Sequence, residues 1–280
     1  VSSIVAIVIE GPSARREELE EAAYALGVQG LEIVDEDVGA PRGRVVVRLW
    51  VPSGDARRAE RRLRSALSSV SIVIEEVAPM TSAPRHVPLG RGFVVVTDAG
   101  EPGARWRART ALHLAGSEAF GDGAHPTTAL CVAAIERWPA RALRRASVLD
   151  VGTGTGVLAI VCALRGASRV IATDVDPLAR RAAREAVRRH GLGDRVIVRA
   201  GMPRERFPIV VANLYRDVLI AEARGLAARV APGGRLVISG FAASSSREIT
   251  GAFATHGLRV VARSRRGGWG CQELTRDPAP

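Results

Sequence analysis

The segment Ser147-Val148-Leu149-Asp150-Val151-Gly152-Thr153-Gly154-Thr155-Gly156-Val157-Leu158 carries the strongest chemical signal in this chain. An apolar, strand-like run ends in a glycine-rich turn, and a helix-like run follows. Glycines at 152, 154 and 156 let the backbone approach a ligand closely, and the start of the helix offers free N–H groups to a negative or polar moiety. A dinucleotide site has the spacing G-x-G-x-x-G. Here the spacing is G-x-G-x-G, and Val157 holds the place of the final glycine. Asp150, just ahead of the turn, suits an amino group instead of a second phosphate.

A second element supports the first. Arg169–Thr173 reads as a strand, and Asp174 stands at its C-terminal end, 18 residues past Gly156. A carboxylate there accepts hydrogen bonds from the two hydroxyls of a ribose. Asp176-Pro177 then opens a helix, with Asp176 as its cap and proline in the first turn. Loop and carboxylate together point to an adenosine-bearing cofactor.

These groups need a scaffold. From Ala146 onward, apolar strands alternate with helix-length segments, the pattern of a parallel sheet covered by helices. Pro232-Gly233-Gly234 turns into a buried strand that runs to Gly240, and Leu258–Arg263 with Trp269–Thr275 reads as a final antiparallel pair. Upstream, Ile4–Ile9 suits a buried strand. A helix is expected over Ala14–Leu26, capped by Ser13, with Glu17 and Glu18 in its first turn and Gly27 as its stop. Strands at Gln29–Val34, Arg44–Val51 and Ser71–Val77, with an arginine-rich amphipathic helix over Asp55–Leu67, complete a β-α-β-β-α-β order. That order fits a ferredoxin-like split unit, a scaffold with no function of its own. Pro79–Gly92 has linker composition. Two strand-like pieces follow, Phe93–Thr97 and Arg109–Leu114, separated by the turn-rich 98–103. The domain reading is therefore 1–79, a linker with a strand over 80–105, and 106–280.

Composition bounds the rest. The 280 residues are 47% hydrophobic, ample for a buried core and incompatible with global disorder. No apolar run approaches the ~20 residues of a spanning helix, and Val1–Glu10 lacks the basic start of a secretory signal. A soluble, intracellular protein is expected. Cys131, Cys162 and Cys271 are odd in number and widely spaced, which leaves neither a disulfide framework nor a CxxC metal site. All 40 basic residues are arginine, so no lysine Schiff base is available. Residues 1–79 carry 10 arginines against 13 acids, about −3, and residues 80–280 carry 30 against 16, about +14. Nucleic-acid contact would explain the second figure. Arginines that solvate helix faces, as at 180, 181, 184, 188 and 189, explain it more simply, since no aromatic residues interleave with them for base stacking.

Ala119-Phe120-Gly121-Asp122-Gly123-Ala124-His125-Pro126-Thr127-Thr128 adds a further motif. Followed by D-V-G-T-G-T-G, I-A-T-D-V-D-P and Val210-Val211-Ala212-Asn213-Leu214, it resembles the ribosomal protein methyltransferase A (PrmA) family, whose pattern is A-F-G-T-G-x-H-P-T-T and V-A-N-I. The wider resemblance, over about residues 106–276, is to class I S-adenosylmethionine-dependent methyltransferases. It implies an α/β fold with a Rossmann-like, seven-stranded sheet and a smaller N-terminal α+β domain that recognises the substrate. It also implies S-adenosylmethionine as cofactor, and transfer of methyl groups to lysine or α-amino groups of a large-subunit ribosomal protein. Thr128, Gly152, Asp174 and Asn213 match the family's cofactor-binding positions, and Asp150, Gly154 and Gly156 belong to the same loop. Asn213 is the catalytic candidate: its carbonyl oxygen is placed to accept a hydrogen bond from the attacking nitrogen. Phe120, His125 and Tyr215 are the substrate-side candidates, with His125 read as an orienting residue more than as a base. Trp269 is similar to a tryptophan near the family's C-terminus.

The chemistry asks little of the protein beyond alignment, because a sulfonium is a strong electrophile. An ammonium has no lone pair, so the amine must first lose a proton, which a desolvated site beside a positive charge favours. Solvent is the expected proton acceptor. The implied partner is a ribosomal protein, with no membrane; a cytoplasmic monomer is expected. The chain departs from the family pattern at Thr153, where the family has cysteine, at Asn213-Leu214-Tyr215-Arg216-Asp217, where it has N-I-L-A-G, and in a linker without tryptophan before Trp106. Alternatives are a related methyltransferase acting on another protein or a small amine, and an arginine-rich nucleic-acid binder that retains only the fold.

Overall fold

The computed structural model describes residues 4–24, 26, 31–34, 40–76, 86–96, 104–114 and 125–278. The expected stop at Gly27, the turn at 98–103 and the segment 119–124, with Phe120 and Asp122, lie outside the described residues. The chain divides into two compact units, Val1–Ser82 and Ala83–Pro280.

The first unit runs β1 (Ile4–Pro12), α1 (Arg16–Tyr24), β2 (Leu31–Val34), β3 (Arg44–Pro52), α2 (Ser53–Ala66) and β4 (Ser71–Glu76). Its sheet has the order β2-β3-β1-β4 with every pairing antiparallel, the arrangement of a split β-α-β unit. Alternation in β3 buries Val45, Val47, Leu49 and Val51 against Leu19, Ala23, Ala56, Ala59 and Leu63 of the two helices. Ser13 does not cap a helix. It is the first residue of a 3-10 turn, Ser13–Arg15, that follows Pro12 and delays α1 to Arg16. The backbone N–H of Ser13 is instead held by the Gly43 carbonyl at 2.9 Å.

The second unit opens with β5 (His86–Leu89), β6 (Phe93–Val96) and β7 (Thr110–His113). β5 falls where composition suggested only linker. Its Pro88 is tolerated because β5 is an edge strand of this three-stranded sheet. Then follow α3 (Pro126–Arg137), α4 (Ala140–Leu143), β8 (Ser147–Val151), α5 (Val157–Leu164), β9 (Arg169–Thr173), α6 (Pro177–Arg189), β10 (Val196–Arg199), β11 (Phe207–Asn213), α7 (Arg216–Ala221), α8 (Ala223–Arg229), β12 (Val230–Ala242), α9 (Ser246–Ala254), β13 (Leu258–Arg266) and β14 (Trp269–Arg276). The large sheet has the order β10-β9-β8-β11-β12-β14-β13, and β14 runs antiparallel to both its neighbours. This is the seven-stranded Rossmann-like sheet that the sequence implied.

Both faces of that sheet are covered, which is why its central strands read as continuous apolar runs. α3, α5 and α6 close one face through Leu130, Ile135, Ile160 and Val187. α7, α8 and α9 close the other through Leu219, Leu226, Ile249 and Phe253. In α6 the small residues Ala179, Ala182, Ala183 and Ala186 recur at helical spacing and face the sheet, while Arg181, Arg184 and Arg188 point to solvent. Arg180 is different: it is half-buried and donates to the carbonyls of Asp174 and Val175 at 2.9 and 2.8 Å. The Pro232-Gly233-Gly234 turn lies inside β12, where the pairing with β11 skips from Val230 to Arg235. Among the described residues no helix is long and apolar enough to cross a membrane.

Candidate functional site

The strands β9, β8 and β11 are neighbours and parallel, so their C-terminal ends bring Asp174, the glycine turn and Asn213 to one edge of the sheet. That edge is where open α/β sheets bind ligands. α3 adds Thr127 and Thr128 from its first turn.

The glycine turn folds as its sequence dictates. Gly152, Gly154 and Gly156 all have left-handed φ, +71°, +54° and +88°. A side chain at Gly152 would strike Leu214 Cδ2 at 2.2 Å, and one at Gly156 would press on the backbone of Ala183 in α6 at 3.3 Å. The turn is pinned to the next strand by bonds from the N–H groups of Gly152 and Thr153 to the Thr173 carbonyl, at 2.8 and 3.0 Å. Asp174 then clasps it from the side: Oδ2 accepts from the Gly154 N–H at 2.9 Å and Oδ1 from the Asp176 N–H at 3.0 Å. Each carboxylate oxygen keeps a further lone pair for a ligand hydroxyl. Asp176 caps α6 by accepting from the Leu178 N–H at 2.8 Å.

Asp150 lies beneath the turn, fully buried. Its Oδ2 accepts from the Thr153 hydroxyl at 2.6 Å and from the Ala159 N–H at 3.1 Å, so the carboxylate braces both the turn and the first residues of α5. Burial pushes the Asp150 carboxyl up to about 7; those two hydrogen bonds oppose the rise and the charge of Asp174 adds to it. Oδ1 has no hydrogen-bond partner among the described residues. A buried, orphaned carboxylate oxygen beneath a turn of left-handed glycines suits a ligand that brings positive charge.

Of the substrate-side candidates, His125 and Tyr215 lie within the described residues, on different loops. His125 caps α3: Nδ1 accepts from the Thr127 N–H at 3.4 Å and lies 2.7 Å from Thr127 Oγ1. Its ring stands edge-on to Trp269, centroids 4.6 Å apart at 73°. Thr128 is buried, and its Oγ1 accepts from Asn213 Nδ2 at 3.4 Å. That bond engages the Asn213 amide nitrogen and not its carbonyl oxygen. Tyr215 ends the same loop at 40% exposure.

Sequence reasoning did not find the contacts that hold these loops in place. Leu214 is wedged between two glycines. It covers Gly152, its N–H donates to the Ser239 carbonyl at 3.0 Å, and a side chain at Gly240 would lie 2.1 Å from its own carbonyl oxygen. Glu136, at the far end of α3, accepts from the N–H groups of Arg91 and Gly92, both at 2.7 Å, and so anchors the β5–β6 turn. His190 Nε2 accepts from the His113 N–H at 3.1 Å and ties β7 to the end of α6. The left-handed glycines at 90 and 240 were the available signal, but glycine alone does not name its neighbour.

Comparison with known proteins fits this geometry. The family model described as Ribosomal protein L11 methyltransferase (PrmA) matches residues 85–277. A Ribosomal protein L11 methyltransferase of Geobacter sulfurreducens is 39% identical over 184 residues, 65% of this chain and 60% of that protein. One from Rhizobium etli is 30% identical over 267 residues, 90% of this chain and 91% of that protein. The crystal structure of a ribosomal protein L11 methylase from Lactobacillus delbrueckii subsp. bulgaricus superposes with a TM-score of 0.61 at 26% identity, covering 69% of this chain and 98% of that one. The chain spans 58% of the length of a relative from Geobacter metallireducens and 60% of the Geobacter sulfurreducens one. With the whole sheet and its three loops inside the matched region, the chain belongs to the ribosomal protein L11 methyltransferase (PrmA) family.

Proposed function

We propose that the protein is an S-adenosylmethionine-dependent N-methyltransferase that modifies lysine and α-amino groups of ribosomal protein L11. The observation that carries this reading is the convergence, at one sheet edge, of the Asp174–Gly154 clasp and the Thr128–Asn213 hydrogen bond. The first suits a ribose beside a close-packed backbone; the second orients an acceptor for an amine.

S-adenosylmethionine, when bound, supplies a methyl group activated by a sulfonium. Asp174 would hold the ribose hydroxyls, the left-handed turn at Gly152–Gly156 would let the backbone lie against the ligand, and Asp150 would brace that turn from beneath. Thr128 fixes the Asn213 amide so that its carbonyl oxygen accepts a hydrogen bond from the incoming amine and aims the nitrogen lone pair. Preorganisation of this kind is worth several orders of magnitude in rate without any covalent step by the protein. The amine's proton leaves to solvent. We assign substrate recognition to the first unit, whose slight acidity favours a basic ribosomal protein, and place the enzyme in the cytoplasm.

The test is incubation of the protein with methyl-labelled S-adenosylmethionine and a ribosome-free cell extract, followed by mass analysis of the labelled band. Label in L11 is expected. Label in another protein or in a small amine overturns the substrate; absence of binding heat with S-adenosylmethionine overturns the enzyme.

A further inference from the structure

Large apolar side chains exposed on this protein are not scattered evenly. Among the described residues they are Val73, Leu164, Val175, Leu178, Ile197, Tyr215, Val218 and Val261. Half of them fall in two short segments: Val175 and Leu178 just after Asp174, Tyr215 and Val218 just after Asn213. These segments flank the glycine turn on either side, because β9 and β11 both neighbour β8. An apolar rim beside a polar site marks a surface built to meet something. The segment after Asp174 belongs to the ribose side. Tyr215 and Val218 stand on the other, next to the group assigned to the acceptor amine.

Charge at that rim runs against the rest of the unit. Residues 80–280 carry about +14, a field that repels a cationic substrate. Arg216, the one arginine in this segment, is held by Glu248 through Nε at 2.8 Å and Nη2 at 2.6 Å, and by Asp217 through Nη1. Two acids therefore face one base, and the side chains of Asp217 and Glu248 are 63% and 49% exposed. An aromatic ring, a valine one turn away and exposed carboxylates together match one chemical object: a primary ammonium on an aliphatic stem. The N-I-L-A-G pattern of the family offers neither the ring nor the charges at these positions.

We propose that Tyr215, Asp217 and Val218 form the ledge that selects the target amine, the ring and valine receiving a lysine stem and Asp217 drawing its ammonium toward Asn213. The inference rests on the reading of Asn213 as the acceptor-side group. As methyl groups accumulate, hydrogen-bonding capacity at the nitrogen falls while its attraction to an aromatic face persists, so Tyr215 also keeps a partly methylated lysine in place.

The experiment uses the full chain with S-adenosylmethionine and purified ribosomal protein L11. Y215A is expected to raise the KM for L11 about tenfold, with kcat changed less than about twofold, and to shift the products toward fewer methyl groups in intact-mass spectra. Y215F is expected to rescue the alanine variant, since the ring face makes the contact. D217N, a surface change that does not endanger folding, is expected to raise KM about threefold at low salt and less at high salt. Calorimetry with S-adenosylmethionine alone should give wild-type heats for all three. Unchanged KM in both Y215A and D217N, with cofactor binding and turnover intact, overturns the ledge and leaves the proposed function standing. Wild-type protein that binds no S-adenosylmethionine overturns the reading of the site itself.

Discussion

Asn213 donates its side-chain amide to the hydroxyl of Thr128, 85 residues earlier in the chain, at 3.4 Å. One residue ends a central strand and the other lies in the first turn of α3, so the bond joins the sheet to a helix that packs on it. In the function proposed above, this bond makes Thr128 a positioning residue that acts through Asn213.

Replacing Asn213 by alanine is expected to lower kcat about 100-fold, since the amine loses its orienting acceptor. T128V keeps the shape but removes the hydroxyl, leaving the Asn213 amide unpaired; a loss of about tenfold is expected. Single-turnover rates with saturating cofactor check both. A T128V variant as fast as wild type would show that Asn213 is oriented by something else.

Asp150 makes stability depend on pH in a direction opposite to most carboxylates. Burial raises its carboxyl from 3.8 to about 7, so the folded protein holds this proton more tightly than the unfolded chain. Between those limits the unfolded state binds fewer protons, and stability falls as pH rises, by on the order of 4 kcal/mol in all from this group. The melting temperature of wild type should therefore fall relative to that of D150N from pH 5 to pH 8, with the asparagine variant the flatter of the two. A parallel pair of profiles would contradict the buried ionisation.

Gly152 and Gly240 both face Leu214, but they tolerate a methyl group differently. At Gly152 the obstacle is the tip of the Leu214 side chain, which can rotate away; at Gly240 it is the Leu214 backbone, and φ there is +101°. G240A is expected to cost about 3 kcal/mol or more and G152A about 1–2 kcal/mol. Urea denaturation ranks them. G152A should in addition weaken S-adenosylmethionine binding, measured by calorimetry, because a methyl group on the left-handed turn disturbs the backbone proposed to lie against the ligand.

The two backbone bonds from Arg91 and Gly92 to Glu136 hold the β5–β6 turn against α3. E136A leaves two N–H groups without their acceptor, and about 2 kcal/mol of stability should be lost. Hydrogen exchange localises the effect: the amides of residues 91 and 92 should lose protection before those of β8 do. Uniform loss across the unit would mean that the clamp is not local.

Much of this was legible in the residues themselves. Asp150, the three glycines and Asp174 announce their positions because left-handed backbone and strand-end carboxylates leave a mark on local sequence, and β8 and β9 fall where their apolar runs fall. β5 and the 3-10 turn at Ser13 escaped, since proline-rich composition hides a short edge strand and a capping residue type does not say where its helix begins. What local sequence does not encode is which side chains from distant elements meet. Whether Asn213 finds Thr128, whether Leu214 seats between Gly152 and Gly240, and whether Trp269 steadies His125 depend on sheet order, which is set by burying both faces of seven strands at once. Residue types and spacing determined the chemistry on offer. The packing of the sheet decided where each group stands to perform it.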